Sequence, residues 1–491
     1  MGDTRPMETL THPARDPAPA TVPPGTLASR IERLARLAVI GALALIAVKP
    51  LFDLGESKAG DSVDLGVITT VVGALLMLAA LAAAVLAGRR LPARALLFML
   101  VALVAMLVIS GIAYLAAPAR ADLLALFDVR RYSIYGPHLE PTSAIPAEAL
   151  RLVVGFAPLA LLGLMLLQRD WIPQRWLALV AGVVVAGAVV HCVLAWLQVA
   201  GVIPYSFYFE LPGQKIGRAS GGYYHPMSLG RLLMFAVFMI YVLGPRLRVR
   251  TAVRYALIAL FVATGIVSLH RFTIVCLAVI VAAFEARRLR GWRAGAARRR
   301  LPLAVVGGAA VVVGLAGALS SATIRNKARV TLTEVGSLDV RSDTFMHGRG
   351  AIWNDVAEIL HRSPFDVWLF GFGYEPWDMH NDWLRVLVIW GVVGVGLTLA
   401  VLVGLYRLVG ARISRAGRLP LVVLFATLVL FGLTQKPLAY PYFLWLFVFG
   451  LLLILSVDQE TGETAAEHGA QHRPTAQHGA DVGPVTEEAG R

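Results

Sequence analysis

Residues 65–87 read LGVITTVVGALLMLAALAAAVLA, without one charged side chain. Residues 177–197, LALVAGVVVAGAVVHCVLAWL, repeat the pattern, with only His191 able to take a proton. A helix needs about 20 apolar residues to cross a bilayer core, and both runs supply them. The whole chain of 491 residues is 57% hydrophobic and 15% charged. A soluble domain carries roughly 45–50% apolar residues and about 25% charge. Clumping on this scale excludes a soluble enzyme, a disulfide scaffold and a disordered protein. The fold class is an all-α polytopic membrane protein.

Working outward from these runs gives about twelve spans by length and hydropathy. They lie near 33–52, 63–87, 94–117, 149–168, 175–200, 226–243, 250–268, 271–287, 301–319, 381–406, 419–435 and 438–457. Residues 255–284 are read as a helical hairpin, since one long helix would hold Arg271 near mid-bilayer, which is costly. The organisation expected is a disordered leader at 1–29, spans one to nine over 30–319 and a long outer loop at 320–380. Spans ten to twelve follow over 381–457, and a disordered tail over 458–491.

The formal net charge of +14 would suggest nucleic acid in a soluble protein. Here most arginines fall in alternate loops: 30–36, 89–94, 169–175, 246–254, 287–300 and 407–418. That distribution orients a membrane protein with this face, and both termini, in the cytoplasm, and nucleic acid is not expected as a partner. Arg120, Arg130 and Arg131 depart from the pattern. Cys192 and Cys276 both sit in apolar runs and read as small core residues. The tail histidines His468, His472 and His478 read as part of a polar tail, not a metal site.

The opposite face concentrates residues able to do chemistry. Residues 351–362, AIWNDVAEILHR, carry apolar positions at helical spacing and predict a short amphipathic helix. Asp378 is a plausible N-cap for the tenth span, which would put His380 in its first turn. The helix dipole disfavours an imidazolium there, so His380 is expected neutral and able to accept a hydroxyl proton. Arg218, in the glycine-flanked run GRASGG, Arg271, and Arg349, between two glycines, are the candidate anion clamp. A guanidinium fork with nearby backbone N–H groups suits phosphate or pyrophosphate. His225, His270, Asp382 and His191 are secondary candidates. His191, inside a span, reads equally as a helix-to-helix hydrogen bond. No Walker motif and no HExxH pattern is present, and neither a metal nor another cofactor is expected.

Taken in order, several pieces resemble the O-antigen ligase and O-antigen polymerase superfamily. They are HGRGAIW from 347, SPF from 363, GFGY from 371, HNDWL from 380 and WGVVG from 390. Upstream, GRASG from 217, His225-Pro226 and Leu269-His270-Arg271 add further landmarks. The resemblance covers roughly residues 200–400. It implies a membrane glycosyltransferase (GT-C-like) fold with a large periplasmic loop in a bacterial inner membrane. The implied donor is a glycan on undecaprenyl pyrophosphate, and the acceptor is lipid A-core or a growing polysaccharide. His380 would be the general base, and Arg218, Arg271 and Arg349 would hold the pyrophosphate. Family members often have Ser-Arg where this chain has His270-Arg271. A polysaccharide transporter or flippase, and a non-catalytic subunit of a polysaccharide assembly complex, are the alternatives. Membrane lipids are expected as neighbours.

Overall fold

The computed structural model describes residues 26–52, 65–88, 93–118, 141–167, 171–205, 218–223, 225–247, 249–290, 325–326, 329–330, 333, 349–376 and 378–471. No strand occurs among them. The helices are α1 (Leu27–Phe52), α2 (Leu65–Leu86), α3 (Ala93–Ala116), α4 (Pro141–Phe156), α5 (Leu159–Leu167), α6 (Gln174–Val199) and α7 (Pro226–Leu243). They continue as α8 (Thr251–Val267), α9 (Arg271–Arg290), α10 (Arg349–Arg362), α11 (Phe365–Phe370), α12 (Asp382–Gly410), α13 (Arg415–Gly432) and α14 (Pro441–Gln471).

Among the described residues, nine helical segments are long and apolar enough to cross a membrane. Their large apolar side chains face outward as well as inward: Leu75, Leu97, Val101 and Leu115 are all exposed. Such a surface is stable in lipid and not in water. The architecture is therefore that of a multi-pass helical membrane protein. Twelve spans were expected. The expected span at 301–319 lies outside the described residues. Two others, α8 with 17 residues and α9 with arginines in its last turn, are not among the nine.

The hairpin at 255–284 is present. Helix α8 ends at Val267, Leu269 turns the chain with φ +54°, and α9 starts at Arg271. The fourth span starts earlier than expected, at Pro141, and breaks between α4 and α5 at Ala157–Pro158, where proline supplies no N–H. Helix α14 runs on to Gln471, where a disordered tail was expected from 458.

Helices α7 and α14 form the centre. Nearly all of α7 is buried, and Trp445 of α14 is fully enclosed, its ring against Gly73 of α2. One end of the bundle gathers arginine. Arg246 donates to the Val457 carbonyl, Arg287 to that of Ala416, and Ser414 is held by Asp458. The other end gathers the N-termini of α7, α9, α12 and α14 and the C-termini of α6, α8 and α13.

Candidate active site

The glycine-flanked segment from Arg218 to His225 is pinned to α6. Gln198 Oε1 accepts the Ser220 and Gly221 backbone N–H groups at 2.9 and 3.0 Å. His191 Nδ1 accepts the Gly222 N–H at 3.1 Å, so its Nε2 carries the proton and donates to the Pro50 carbonyl at 2.7 Å. The ring also stacks on Tyr223, centroids 4.1 Å apart. Gly221, at φ +62°, passes so close to the His191 backbone that a side chain would collide. His191 thus ties α1, α6 and the loop together.

His225 ends that loop as the N-cap of α7, its Nδ1 accepting the Met227 N–H at 3.1 Å. Six residues on, Arg231 lies over the Tyr440 ring, 3.6 Å from its centroid. His270, at the α8–α9 turn, is enclosed. Its Nδ1 is 2.7 Å from Thr273 Oγ1 and its Nε2 is 2.9 Å from the Gln435 side-chain amide. With both ring nitrogens engaged, His270 is a structural link between α9 and the segment after α13. Gly230 of α7 makes room, since any Cβ there would strike Thr273.

Amphipathic helix α10 buries Ile352, Val356, Ile359 and Leu360 as its spacing predicts. Arg349, at its start, donates to the Thr434 carbonyl at 3.0 Å. Trp353 Nε1 donates to the Met379 carbonyl at 2.8 Å, so α10 also holds the segment that carries His380. The same segment is braced from beneath by Glu375, which accepts the Met379 N–H through Oε1. Glu375 Oε2 meets Lys436 Nζ at 2.9 Å and Arg385 Nε at 3.4 Å.

The GFG turn after α11 docks on a break in α12. Gly391 has φ +64°, which interrupts the helix and frees carbonyls. The Phe372 and Gly373 N–H groups donate to the carbonyls of Val388 and Ile389 at 2.7 and 2.9 Å. Backbone left open in an apolar layer is thereby satisfied from within the protein.

Asp378 was expected to cap α12. Asn381 does so instead, its side chain accepting the Leu384 N–H at 2.9 Å. His380 therefore precedes the helix and does not enter its first turn. It sits at φ +48°, a conformation that side chains other than glycine seldom adopt. Three contacts around it hold the backbone there: Asp378 on its own N–H, Glu375 and Trp353 on Met379. Burial lowers His380 to about 4; Asp378 works against this, while Arg349 and Lys436 add to it. The cause of its neutrality is thus enclosure among cations, not a helix dipole.

The site residues act on one another electrically. Burial and then Arg271 lower the pKa of Arg218. His225 is brought to about 4 by burial, then by Arg231, Arg218 and His380, with Asp378 opposing. Burial, then His225, Arg349, Arg218 and Arg231, drives His270 well below its ordinary value. Burial would raise Asp378, yet Lys436 and then His380 hold it below the usual carboxylate range. His380, His225, His270 and all three candidate arginines therefore share one neighbourhood at one end of the bundle. Two buried polar atoms there have no hydrogen-bond partner among the described residues: Arg218 Nε and Thr434 Oγ1.

Asp382 belongs to the bracing beneath the site. Its Oδ2 accepts the Leu438 N–H at 2.5 Å and its Oδ1 lies 3.4 Å from Arg385. Arg385 is buried between Asp382, Glu375 and Glu148 of α4. Sequence reasoning missed Arg231, Glu375, Arg385, Gln435 and Lys436. Arg385 had a usable signal, being a cation one turn inside an apolar span. Among the described residues, no group of three His, Cys, Asp or Glu side chains is arranged to hold a metal. No protein-family model and no curated protein matches this chain.

Proposed function

We propose that this protein is a membrane glycosyltransferase of the O-antigen ligase or polysaccharide polymerase kind. It moves a glycan from undecaprenyl pyrophosphate to an acceptor hydroxyl, on lipid A-core or a growing polysaccharide. The observation that carries this reading is the cluster of a neutral His380 with Arg218, Arg231, Arg271 and Arg349, in which the Arg218 Nε is buried and unpartnered. Buried donors aimed at nothing suit a ligand that brings its own anionic oxygens.

The chemistry follows from those parts. Asp378 Oδ1 lies 3.3 Å from His380 Nδ1, which keeps the proton on Nδ1 and the lone pair on Nε2. Nε2 takes the acceptor hydroxyl proton while the oxygen bonds to the anomeric carbon. The bond from that carbon to the pyrophosphate oxygen breaks, and its electron pair leaves with the pyrophosphate. Arginines supply the charge stabilisation that the leaving group needs. The arginine-rich end faces the cytoplasm of a bacterial inner membrane, with both termini, and His380 faces the periplasm.

A second reading, a polysaccharide transporter, draws on the interruption of α12 at Gly391, since transporters often break helices within the bilayer. Reconstitution separates the two. Purified protein receives a defined undecaprenyl-pyrophosphate oligosaccharide, with lipid A-core and free repeat units as competing acceptors. Transfer that is lost in His380→Ala at normal protein level supports the transferase. Transfer unchanged in His380→Ala, or no transfer with movement of the lipid-linked glycan across the bilayer, overturns it.

A further inference from the structure

A cavity of about 1000 Å³ opens at the arginine-rich end, the end of α7 and α14 away from His380. It lies among α7, α8, α9, α13 and α14. Ile258, Phe284 and Ile454 give it apolar walls, and Arg250, Arg254, Arg287 and Arg288 give it a cationic lining. Two carboxylates also line it, and both are engaged. Glu285 accepts the Tyr241 and Tyr255 hydroxyls at 3.0 and 2.9 Å and pairs with Arg288 at 3.6 Å. Asp458 holds Ser414 through its N–H and its hydroxyl. Four guanidinium groups against two carboxylates leave the cavity cationic.

Orientation in a membrane asks only for arginines in loops facing water. It does not ask for a walled hollow, nor for a guanidinium turned into one. Arg254 donates through Nη2 to Thr251 at 2.9 Å, but its Nε is buried without a partner among the described residues. A buried N–H of a charged group is stabilised by an anionic acceptor. Apolar walls beside that acceptor position suit a molecule with a hydrocarbon part. Basic pockets between membrane helices bind anionic headgroups for the same reason.

We propose that this cavity is a second ligand site, taking the phosphate group of an anionic lipid headgroup with Arg254 as its principal anchor. It is independent of the chemistry at His380.

Native mass spectrometry of the full-length protein in detergent tests it, with phosphatidylglycerol, phosphatidylcholine of the same chains and inorganic pyrophosphate as probes. Phosphatidylglycerol is expected to be retained in preference to phosphatidylcholine. Arg254→Gln and Arg250→Gln should each weaken that retention about tenfold. Arg412→Gln, at the same end but outside the cavity, should leave it unchanged. Lipid retained in the presence of millimolar pyrophosphate supports the headgroup as the source. Pyrophosphate binding that displaces the lipid supports a phosphate site whose source is a soluble anion. Equal retention of both lipids by the wild type, together with no pyrophosphate binding, overturns the proposal without any variant having to fold. An equal effect of Arg412→Gln and Arg254→Gln overturns it as well.

Discussion

Asp378 Oδ1 accepts the backbone N–H of His380 at 3.1 Å and also lies 3.3 Å from the Nδ1 of its ring. One carboxylate thus sets both the backbone and the imidazole of the candidate base. Lys436 shares that carboxylate at 3.0 Å. Asp378 raises the His380 pKa and Lys436 lowers it. Asp378→Asn should therefore shift the acid limb of transfer to lower pH, with a rate loss of about tenfold from poorer orientation. Lys436→Gln should shift that limb upward. A pH–rate profile of each variant checks the pair, and shifts in the same direction would refute the arrangement.

Stability should fall on acidification through a defined window. His225 and His380 titrate at about 4 in the folded protein, against an ordinary 6.5. As pH falls below 6.5 the unfolded chain binds protons first, so unfolding becomes easier. The stability that the neutral rings contribute is complete above 6.5 and is lost as pH falls to about 4. Thermal midpoints in detergent between these limits should drop. The slope should be shallower in the double variant His225→Asn, His380→Gln, where asparagine can still cap α7. An equal slope in the double variant would refute this.

Arg218 offers a test of the fork against the charge. Arg218→Lys keeps a cation but cannot present two parallel N–H donors. Transfer should fall at least about tenfold in Arg218→Lys, with thermal stability unchanged, because the unpartnered Nε supports nothing in the fold. Full transfer by the lysine variant would remove the clamp role.

Two glycines of α12 should behave oppositely. A Cβ on Gly391, at φ +64°, would run into the Leu369 carbonyl, whereas one on Gly396 meets nothing within 4 Å. Gly391→Ala should destabilise by about 3 kcal/mol. Gly396→Ala should be neutral or up to about 1 kcal/mol more stable. Denaturation in mixed micelles measures both, and equal effects would contradict the docking of the GFG turn on the helix break.

Arg385 is the keystone of a buried ion network. Removing it as Arg385→Met leaves Glu148, Glu375 and Asp382 without their shared cation. The expected loss is on the order of 3–5 kcal/mol. Adding Glu148→Gln should restore part of it, since one uncompensated charge is then gone. A double variant no more stable than the single would show that the network does not work this way.

The helices were largely readable along the chain. The charge-free run at 65–87, the arginine clusters and the pattern of residues 351–362 each carry their signal within a few turns. His225 before Pro226 also sits where a helix start is expected. The candidate residues, His380 and the three arginines, could be picked out along the chain, but the residues that brace them could not. Asp378 and Asn381 are both good capping types three residues apart, and local propensity does not choose between them. Asn381 wins because Asp378 is drawn to Lys436, a residue far along the chain. Among the secondary candidates, His191 drew notice because a titratable group in an apolar run is costly, and His270 and Asp382 were named beside it. Only their neighbours show that the cost is met by hydrogen bonds to Pro50, Gln435 and Leu438.

By itself the sequence determined that this chain is a multi-pass set of apolar helices, with arginines gathered at one end and the candidate residues named at the other. Hydropathy and helical period are local properties, and lipid leaves the backbone no other way to satisfy its hydrogen bonds. Tertiary structure alone decided that Arg218 feels the charge of Arg271 and His380 that of Arg349, that α12 breaks at Gly391 to accept the turn at 371–373, and that Arg385 reaches Glu148 across the bundle. Those contacts join segments far apart in the chain, so they follow from how whole helices pack, which no short window of sequence contains.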